Sequence, residues 1–155
     1  MEVKDHTQLM GAIVTNLQDL ETVLRYHSMG PKARDVQFPT VGALDVVEND
    51  LTNWVSLGKL IKRFNNSLKP DEQQFKIDSQ VVIIRDAFAH GRLVTTEEKL
   101  PFRLWKFGKP ENGRVPVEFY KELTVEWLTE TRDMILTEKQ KVVDCFKARG
   151  YQGLR

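Results

Sequence analysis

The chain contains few of the residues that mark disulfide-stabilised, metal-binding or membrane-embedded proteins. One cysteine, Cys145, stands among 155 residues, so no disulfide can form within the chain. The three histidines are far apart, and no His-x-x-x-His or Cys-x-x-Cys spacing occurs, so the sequence predicts no metal site and no cofactor. No run of about 18 apolar residues and no signal-peptide segment is present. The sequence therefore predicts a cytoplasmic protein without a membrane partner.

The composition indicates an ordinary globular chain. Hydrophobic residues make up 41% of it and charged residues 29%, which excludes a disordered or fibrous protein. The formal net charge is +1, too small for the strongly basic body of a general nucleic-acid binder, although a local basic patch is still allowed. At this length we expect a single domain over residues 1–155.

Apolar residues at intervals of three or four positions predict four long helices. These run from Asp5 or Thr7 to His27, from Thr40 to Leu68, from Asp71 or Asp78 to His90, and from Glu118 to Arg149. The β-branched run Val81–Ile84 would also suit a strand, but the Ala-rich continuation favours a helix. Trp54, Tyr120 and Trp127 lie on helical stripes and are predicted to be core residues.

Between the last two helices the pattern changes. The apolar segments 102–107 and 114–117 flank the turn residues GKPENG at 108–113, which predicts an irregular β-hairpin. The predicted fold class is all-α, a four- or five-helix antiparallel bundle with this small hairpin inserted after the third helix. Cys145 lies among helical residues and is predicted to be a buried structural thiol, whereas His6 and His27 are predicted to be surface or helix-end residues.

Chemistry is suggested by the run RDAFAHGR at residues 85–92. Arg85 is a permanent cation suited to phosphate, and His90 exchanges a proton near neutral pH. The run resembles the HEPN family (higher eukaryotes and prokaryotes nucleotide-binding domains), small helical proteins marked by an arginine, a polar residue and, after four to six intervening residues, a histidine. Asp86 fills the polar position, and Ala89-His90-Gly91 matches the family's motif ending of a small residue, histidine and helix-stopping glycine.

The spacing of the motif limits what one chain can do. Arg85 and His90 lie about 140° apart on an ideal helix, whereas Asp86 and His90, four positions apart, share a face and can form a hydrogen bond. RNA cleavage without a metal needs a base, an acid and cations for the charge on the phosphate. A two-fold dimer would bring two copies of His90 and of Arg85 into one cleft.

The resemblance implies the same arrangement. Many HEPN proteins are dimeric, metal-independent endoribonucleases with a composite site, and many are toxins or antiviral defence effectors. By that resemblance His90 is the acid and base, Arg85 binds and stabilises the phosphate, and Asp86 orients the pair. RNA is then the substrate, a second copy is the partner, and a toxin of this kind would be held by a cognate antitoxin protein.

Two alternatives stay open. The basic residues Arg92, Arg103, Lys106, Lys109 and Arg114 surround the aromatic residues of the hairpin, so they either contact RNA or are simply solvated while the aromatic rings cover the helices. Asp86 and His90 can also be a plain surface pair, with Arg85 neutralising a neighbouring acid. In that case the chain is a catalytically silent helical dimer that binds a protein or nucleotide.

Overall fold

The computed structural model describes residues 3–35, 40–43, 46–95 and 100–151. The elements are α1 (Val3–Met29), α2 (Leu57–Ser67), α3 (Gln80–His90), β1 (Arg92–Val94), β2 (Phe102–Phe107), β3 (Val117–Leu123) and α4 (Val125–Ala148), with short 3₁₀ helices at Gly30–Asp35 and Pro70–Phe75. The predicted all-α class is wrong, because a three-stranded antiparallel sheet follows α3. The fold is mixed α and β.

The sheet has the strand order β1-β2-β3. The predicted hairpin exists as β2 and β3, but β3 extends over Val117–Leu123, which the sequence analysis assigned mostly to the last helix. Tyr120 therefore lies in a strand opposite Trp105 and is exposed, contrary to its predicted place in a helical core. The additional strand β1 is only three residues long, and its pairing with β2 is a contact that local sequence does not encode.

The predicted second helix is much shorter than expected. Residues 46–56 form turns and extended chain, and α2 begins only at Leu57. The Asn49 side chain accepts hydrogen bonds from the backbone of Leu51 and Thr52, which stabilises a turn in competition with a helix. Trp54 is in this loop and is fully exposed, so its predicted place in the core is wrong. Residues 44–45 of the predicted helix lie outside the described residues.

Buried Arg25 holds this loop in place. Its guanidinium donates hydrogen bonds to the backbone carbonyls of Asp50, Asn53 and Val55, and it forms an ion pair with Glu21 at 2.7 Å. These carbonyl groups would accept backbone hydrogen bonds if the segment were helical. A contact between residues far apart in sequence thus decides the local conformation.

The remaining helices agree better with their patterns. The Val81–Ile84 run is helical, α3 ends at His90 as predicted, and Cys145 is buried in α4 as predicted. The third helix begins at Gln80, later than either predicted start, and Pro70–Phe75 forms a separate 3₁₀ helix. The predicted final helix is correct from Val125 onward.

The chain divides into two compact units, to each of which α1 and α4 contribute residues. One unit comprises Met1–Leu17 and Gln80–Leu136, and the other Gln18–Ser79 and Thr137–Arg155. The first unit has a core of aliphatic side chains from α1, α3, the sheet and α4: Ile13, Leu17, Val81, Ile84, Ala87, Leu104, Leu123, Leu128 and Ile135. The second has a core that includes Leu20, Leu24, Leu57, Leu60, Ile61, Phe64, Val142 and Phe146. Each fully buried leucine or isoleucine contributes about 1.5–3 kcal/mol to folding.

Candidate active site

Helix α3 packs against the core through one face and leaves His90 on an exposed face. Val81, Ile84 and Ala87 are buried, and they recur every three residues along one face. Ile83 and His90, seven positions apart, lie on an exposed face, and the Ile83 side chain is 55% exposed. The helix is therefore not covered on all sides, and it leaves an apolar side chain in solvent beside the motif.

The residue after α3 must be glycine, because a side chain at position 91 would overlap its neighbours. A Cβ atom at this position would lie 2.2 Å from the carbonyl oxygen of Ala87, 2.7 Å from Leu104 Cδ1 and 3.0 Å from the carbonyl oxygen of Trp105. These distances are far shorter than ordinary van der Waals contacts, so the chain can pass directly from α3 into β1 only with glycine here. The glycine thus positions His90 next to the sheet.

Arg85 forms an ion pair with Asp86. The distance from Arg85 Nη1 to Asp86 Oδ1 is 2.7 Å, and both side chains are about one-third exposed. The predicted hydrogen bond between Asp86 and His90 is not formed. The described interactions of Asp86 are instead an ion pair with Arg85 and an electrostatic interaction with Lys106. In a single chain the carboxylate therefore neutralises the arginine.

His90 is the last residue of α3 and is exposed. Within the described ranges its side chain makes no hydrogen bond, ion pair or ring contact. The imidazole is consequently accessible and free to accept or donate a proton to a ligand.

Lys106, one of the predicted RNA-binding residues, lies near Asp86 and is less exposed than the others. Its ammonium group forms an ion pair with Glu118 at 2.7 Å. This hydrogen bond, assisted by the negative charges of Glu118 and Asp86, raises the pKa of Lys106 despite partial desolvation. Arg85 and Asp86 of α3, Lys106 of β2 and Glu118 of β3 thus form a cluster of alternating charge.

The other predicted RNA-binding residues are more open. The Arg92 guanidinium lies over the Phe107 ring, 5.6 Å from its centre. Arg103 pairs with Glu122 at 3.1 Å, and Arg114 is exposed in the turn between β2 and β3. The structure brings Arg85 together with Asp86, and the Arg92 guanidinium together with the Phe107 ring. Among the described contacts of one chain, none connects Arg85 with His90.

A second polar cluster, which the sequence analysis missed, is buried in the other unit. Arg149 makes two hydrogen bonds to the Glu72 carboxylate, at 2.9 and 2.6 Å, and its Nη1 lies 3.4 Å from His27 Nε2. Cys145 Sγ lies 3.8 Å from the same imidazole nitrogen. An arginine N–H can only donate, so Nε2 accepts and the His27 proton is on Nδ1.

The electrostatics of this cluster do not favour nucleophilic chemistry. Burial and the charge of Arg149 lower the pKa of His27 to about 4 despite the opposing effect of Glu72. Burial raises the pKa of the Cys145 thiol, so thiol and imidazole are both neutral at pH 7. Hydrogen bonds from Arg149 and from the backbone of Lys69 lower the pKa of Glu72 to about 2. We conclude that the cluster stabilises this unit.

His6 and His27 lie near the two ends of α1, in agreement with the helix-end alternative, but both side chains are buried, so the surface alternative is wrong. The signal was present in the sequence, because both histidines continue the apolar stripe of α1 at helical spacing: His6, Ile13, Leu17, Leu20, Leu24 and His27. His6 packs edge-on against Phe102, with ring centres 6.1 Å apart. In this chain the helical period predicted burial better than residue polarity did.

Two findings concern metals and membranes. Among the residues that the structure describes, no three side chains of His, Cys, Asp or Glu are grouped so that they could bind a metal ion. Over the same ranges, no helix has the length and apolar character needed to cross a membrane.

Comparisons of the chain with protein-family models, with curated proteins and with solved structures gave no match.

Proposed function

We propose that this chain is a metal-independent endoribonuclease that acts in the cytoplasm as a homodimer with a composite site. The observation that carries the proposal is His90, an exposed imidazole without a described partner at the end of a helix whose neighbouring turn is sterically restricted to glycine. The resemblance of residues 85–92 to the HEPN motif supports it. A role as a toxin held by an antitoxin protein, or as an antiviral effector, belongs to the same proposal.

The chemistry needs two copies of the chain. The imidazole of one His90 takes the proton of a ribose 2′-OH, whose oxygen forms a bond to phosphorus. The bond from phosphorus to the 5′-oxygen breaks, and the imidazolium of the second His90 protonates that oxygen. Arg85 stabilises the negative charge on the phosphate. The products are a 2′,3′-cyclic phosphate and a 5′-hydroxyl.

The exposed Ile83 supports a dimer in which the ends of the two α3 helices approach each other. This side chain shares a helix face with His90 and is more than half exposed. An apolar residue beside the reactive histidine would be buried if a second copy covered that face. The Arg85–Asp86 ion pair would then open, or reorient, to present the guanidinium to the phosphate.

Cleavage of RNA by the purified protein tests this proposal. Activity should persist in EDTA and leave cyclic 2′,3′-phosphate ends, and His90→Ala should abolish it without changing the circular dichroism spectrum, because the side chain has no described structural contact. Arg85→Lys keeps the cation but loses the bidentate fork, so activity should fall roughly tenfold or more. Cleavage that disappears with EDTA, or that survives His90→Ala, contradicts the mechanism.

One observation favours a second function. The Arg85 guanidinium is already neutralised by Asp86, which is what a silent dimer that binds a protein or nucleotide would show. In that case Arg85→Lys leaves any binding unchanged and lowers the melting temperature only slightly. Sedimentation at micromolar concentration separates both functions from a strict monomer, which would exclude the composite site.

A further inference from the structure

One face of the sheet presents aromatic and basic side chains to solvent. In β2 and β3, Leu104 and Leu123 are buried, so the alternating residues Trp105 and Tyr120 lie on the opposite face. We call this surface the aromatic face and define it by Arg92, Arg103, Trp105, Phe107, Tyr120 and Glu122, whose carboxylate pairs with Arg103 at 3.1 Å and accepts a hydrogen bond from the Tyr120 hydroxyl. Lys106 points to the buried side, so the structure separates it from the other basic residues of the hairpin.

Two rings of the aromatic face contact each other, the partly buried Trp105 and the exposed Tyr120. Trp105 and Tyr120 are directly opposite each other in the strand register, with ring centres 4.9 Å apart and planes at 40°. Tyr120 is 48% exposed and Phe107 40% exposed. Beyond the edge of β3, Tyr120 and the half-buried Trp127 line a groove of about 550 Å³. Such exposed rings are unusual unless they meet a ligand or partner.

The sheet region also concentrates positive charge. Residues 92–123 contain seven basic and five acidic side chains, a formal charge of +2, whereas the whole chain has a net charge of only +1. The Arg92 guanidinium lies over the Phe107 ring, 5.6 Å from its centre, in a position from which it can contact a phosphate beside a stacked base. The charge and the rings therefore favour a polyanion that carries aromatic groups.

We propose that the aromatic face binds single-stranded RNA, with bases stacked on Trp105 and Tyr120 and phosphates contacted by Arg92 and Arg103. Bases in a duplex are stacked on one another and cannot use exposed protein rings, so the surface selects unpaired RNA. This inference rests on the proposed function and specifies the form of its substrate. Arg92 follows His90 by two residues, so the backbone distance is at most about 7 Å and bound RNA would lie close to the imidazole.

Fluorescence anisotropy tests this inference on the His90→Ala protein, which should not cleave the probe. The probe is a fluorescein-labelled oligouridine of about 20 nucleotides, and a duplex RNA of the same length is the comparison. Trp105→Ala and Tyr120→Ala should each weaken binding of the single strand roughly tenfold or more. Trp105→Phe retains a ring and should restore most of the affinity. Trp54→Ala removes a fully exposed tryptophan outside the aromatic face and should change nothing.

Each other outcome overturns the inference. Tight binding that is unaffected by Tyr120→Ala, whose side chain is half exposed, excludes stacking on this face even if Trp105→Ala fails to fold. Equal affinity for the duplex excludes selection of unpaired RNA. A shift from dimer to monomer in Tyr120→Ala at unchanged RNA affinity identifies the face as a protein interface.

The same experiments separate this inference from the proposed function. If His90→Ala binds oligouridine through Trp105 while the unmodified protein never cleaves RNA, the aromatic face is confirmed as an RNA-binding surface and the proposed ribonuclease is not. If the unmodified protein cleaves RNA and Tyr120→Ala binds and cleaves RNA normally, the proposed ribonuclease activity is supported. In that case the aromatic face is not the surface that binds its RNA substrate.

Discussion

The buried imidazole of His27 predicts a loss of stability in mildly acidic solution. Burial and the nearby Arg149 charge lower the pKa of His27 from 6.5 to about 4. The unfolded chain therefore takes up a proton at a higher pH than the folded chain does. The contribution of His27 is fully present above pH 6.5 and declines as the pH falls from 6.5 to about 4.

The size of this effect follows from the pKa difference. The pKa difference of about 2.5, at about 1.4 kcal/mol for each pH unit, sets an upper limit of about 3–4 kcal/mol, of which about 2 kcal/mol is expected between pH 7 and pH 5. Glu72 acts in a separate range. Its pKa is about 2 in the folded chain and 4.5 in an unperturbed carboxyl group, so its contribution is lost only as the pH falls from 4.5 to about 2.

Urea unfolding followed by far-ultraviolet circular dichroism at pH 7, 6 and 5 measures the effect. We expect the free energy of unfolding of the unmodified chain to fall by about 2 kcal/mol across this range, a large part of a typical total of about 5–15 kcal/mol. His27→Gln keeps an acceptor oxygen for Arg149 but cannot be protonated, so its profile should be much flatter. His90→Ala removes an exposed histidine and should retain the original slope.

Two results would refute this reasoning. A free energy of unfolding that does not change between pH 7 and pH 5 means that His27 is not held neutral by burial. An equal slope in the unmodified chain and in His27→Gln assigns the pH dependence to another group. His27→Phe provides a second neutral variant that preserves the edge-on ring contact with Phe64, whose centre is 4.8 Å away.

Further predictions concern glycines and the Arg25 loop. Gly91→Ala should destabilise the chain by about 2 kcal/mol or more in urea unfolding, because the added methyl group would overlap the Ala87 carbonyl. Gly11→Ala, at a helical position with nothing within 4 Å, should instead stabilise it by about 1 kcal/mol; equal effects of the two would contradict the steric argument. Arg25→Ala removes several hydrogen bonds from one buried cation and should cost about 3 kcal/mol. Unchanged stability would show that the loop of residues 46–56 keeps its conformation without the hydrogen bonds from Arg25.

The sequence by itself predicted elements in which one local period dominates. The stripe of α1, the apolar α3 with its glycine end, and α4 from Val125 onward all follow the helical repeat. Hairpin strand β2 was recognised from its apolar residues and the turn residues after it. These features depend on residues within about two turns of each other, so they are visible without knowledge of the rest of the chain.

Part of the candidate site was also visible in the sequence. The motif residues, the helix end at His90 and the glycine after it were identified from their order along the chain. The acidic partner of Arg85 was not identified from the sequence. Asp86 was expected to bond to His90, but its side chain pairs with the arginine. Spacing along a helix defines which contacts are possible, but the charges nearby decide which one forms.

Only the tertiary structure decided the remaining features, because they depend on contacts between distant segments. Arg25 donates hydrogen bonds to carbonyl groups 25 to 30 positions away and holds residues 46–56 out of the helix that their apolar pattern predicts. β1 is a strand because β2 pairs with it. His27 is neutral because it is buried and because the charge of Arg149, 122 positions later, lies beside it. Local propensities amount to tenths of a kcal/mol per residue, and buried polar contacts of one or more kcal/mol override them.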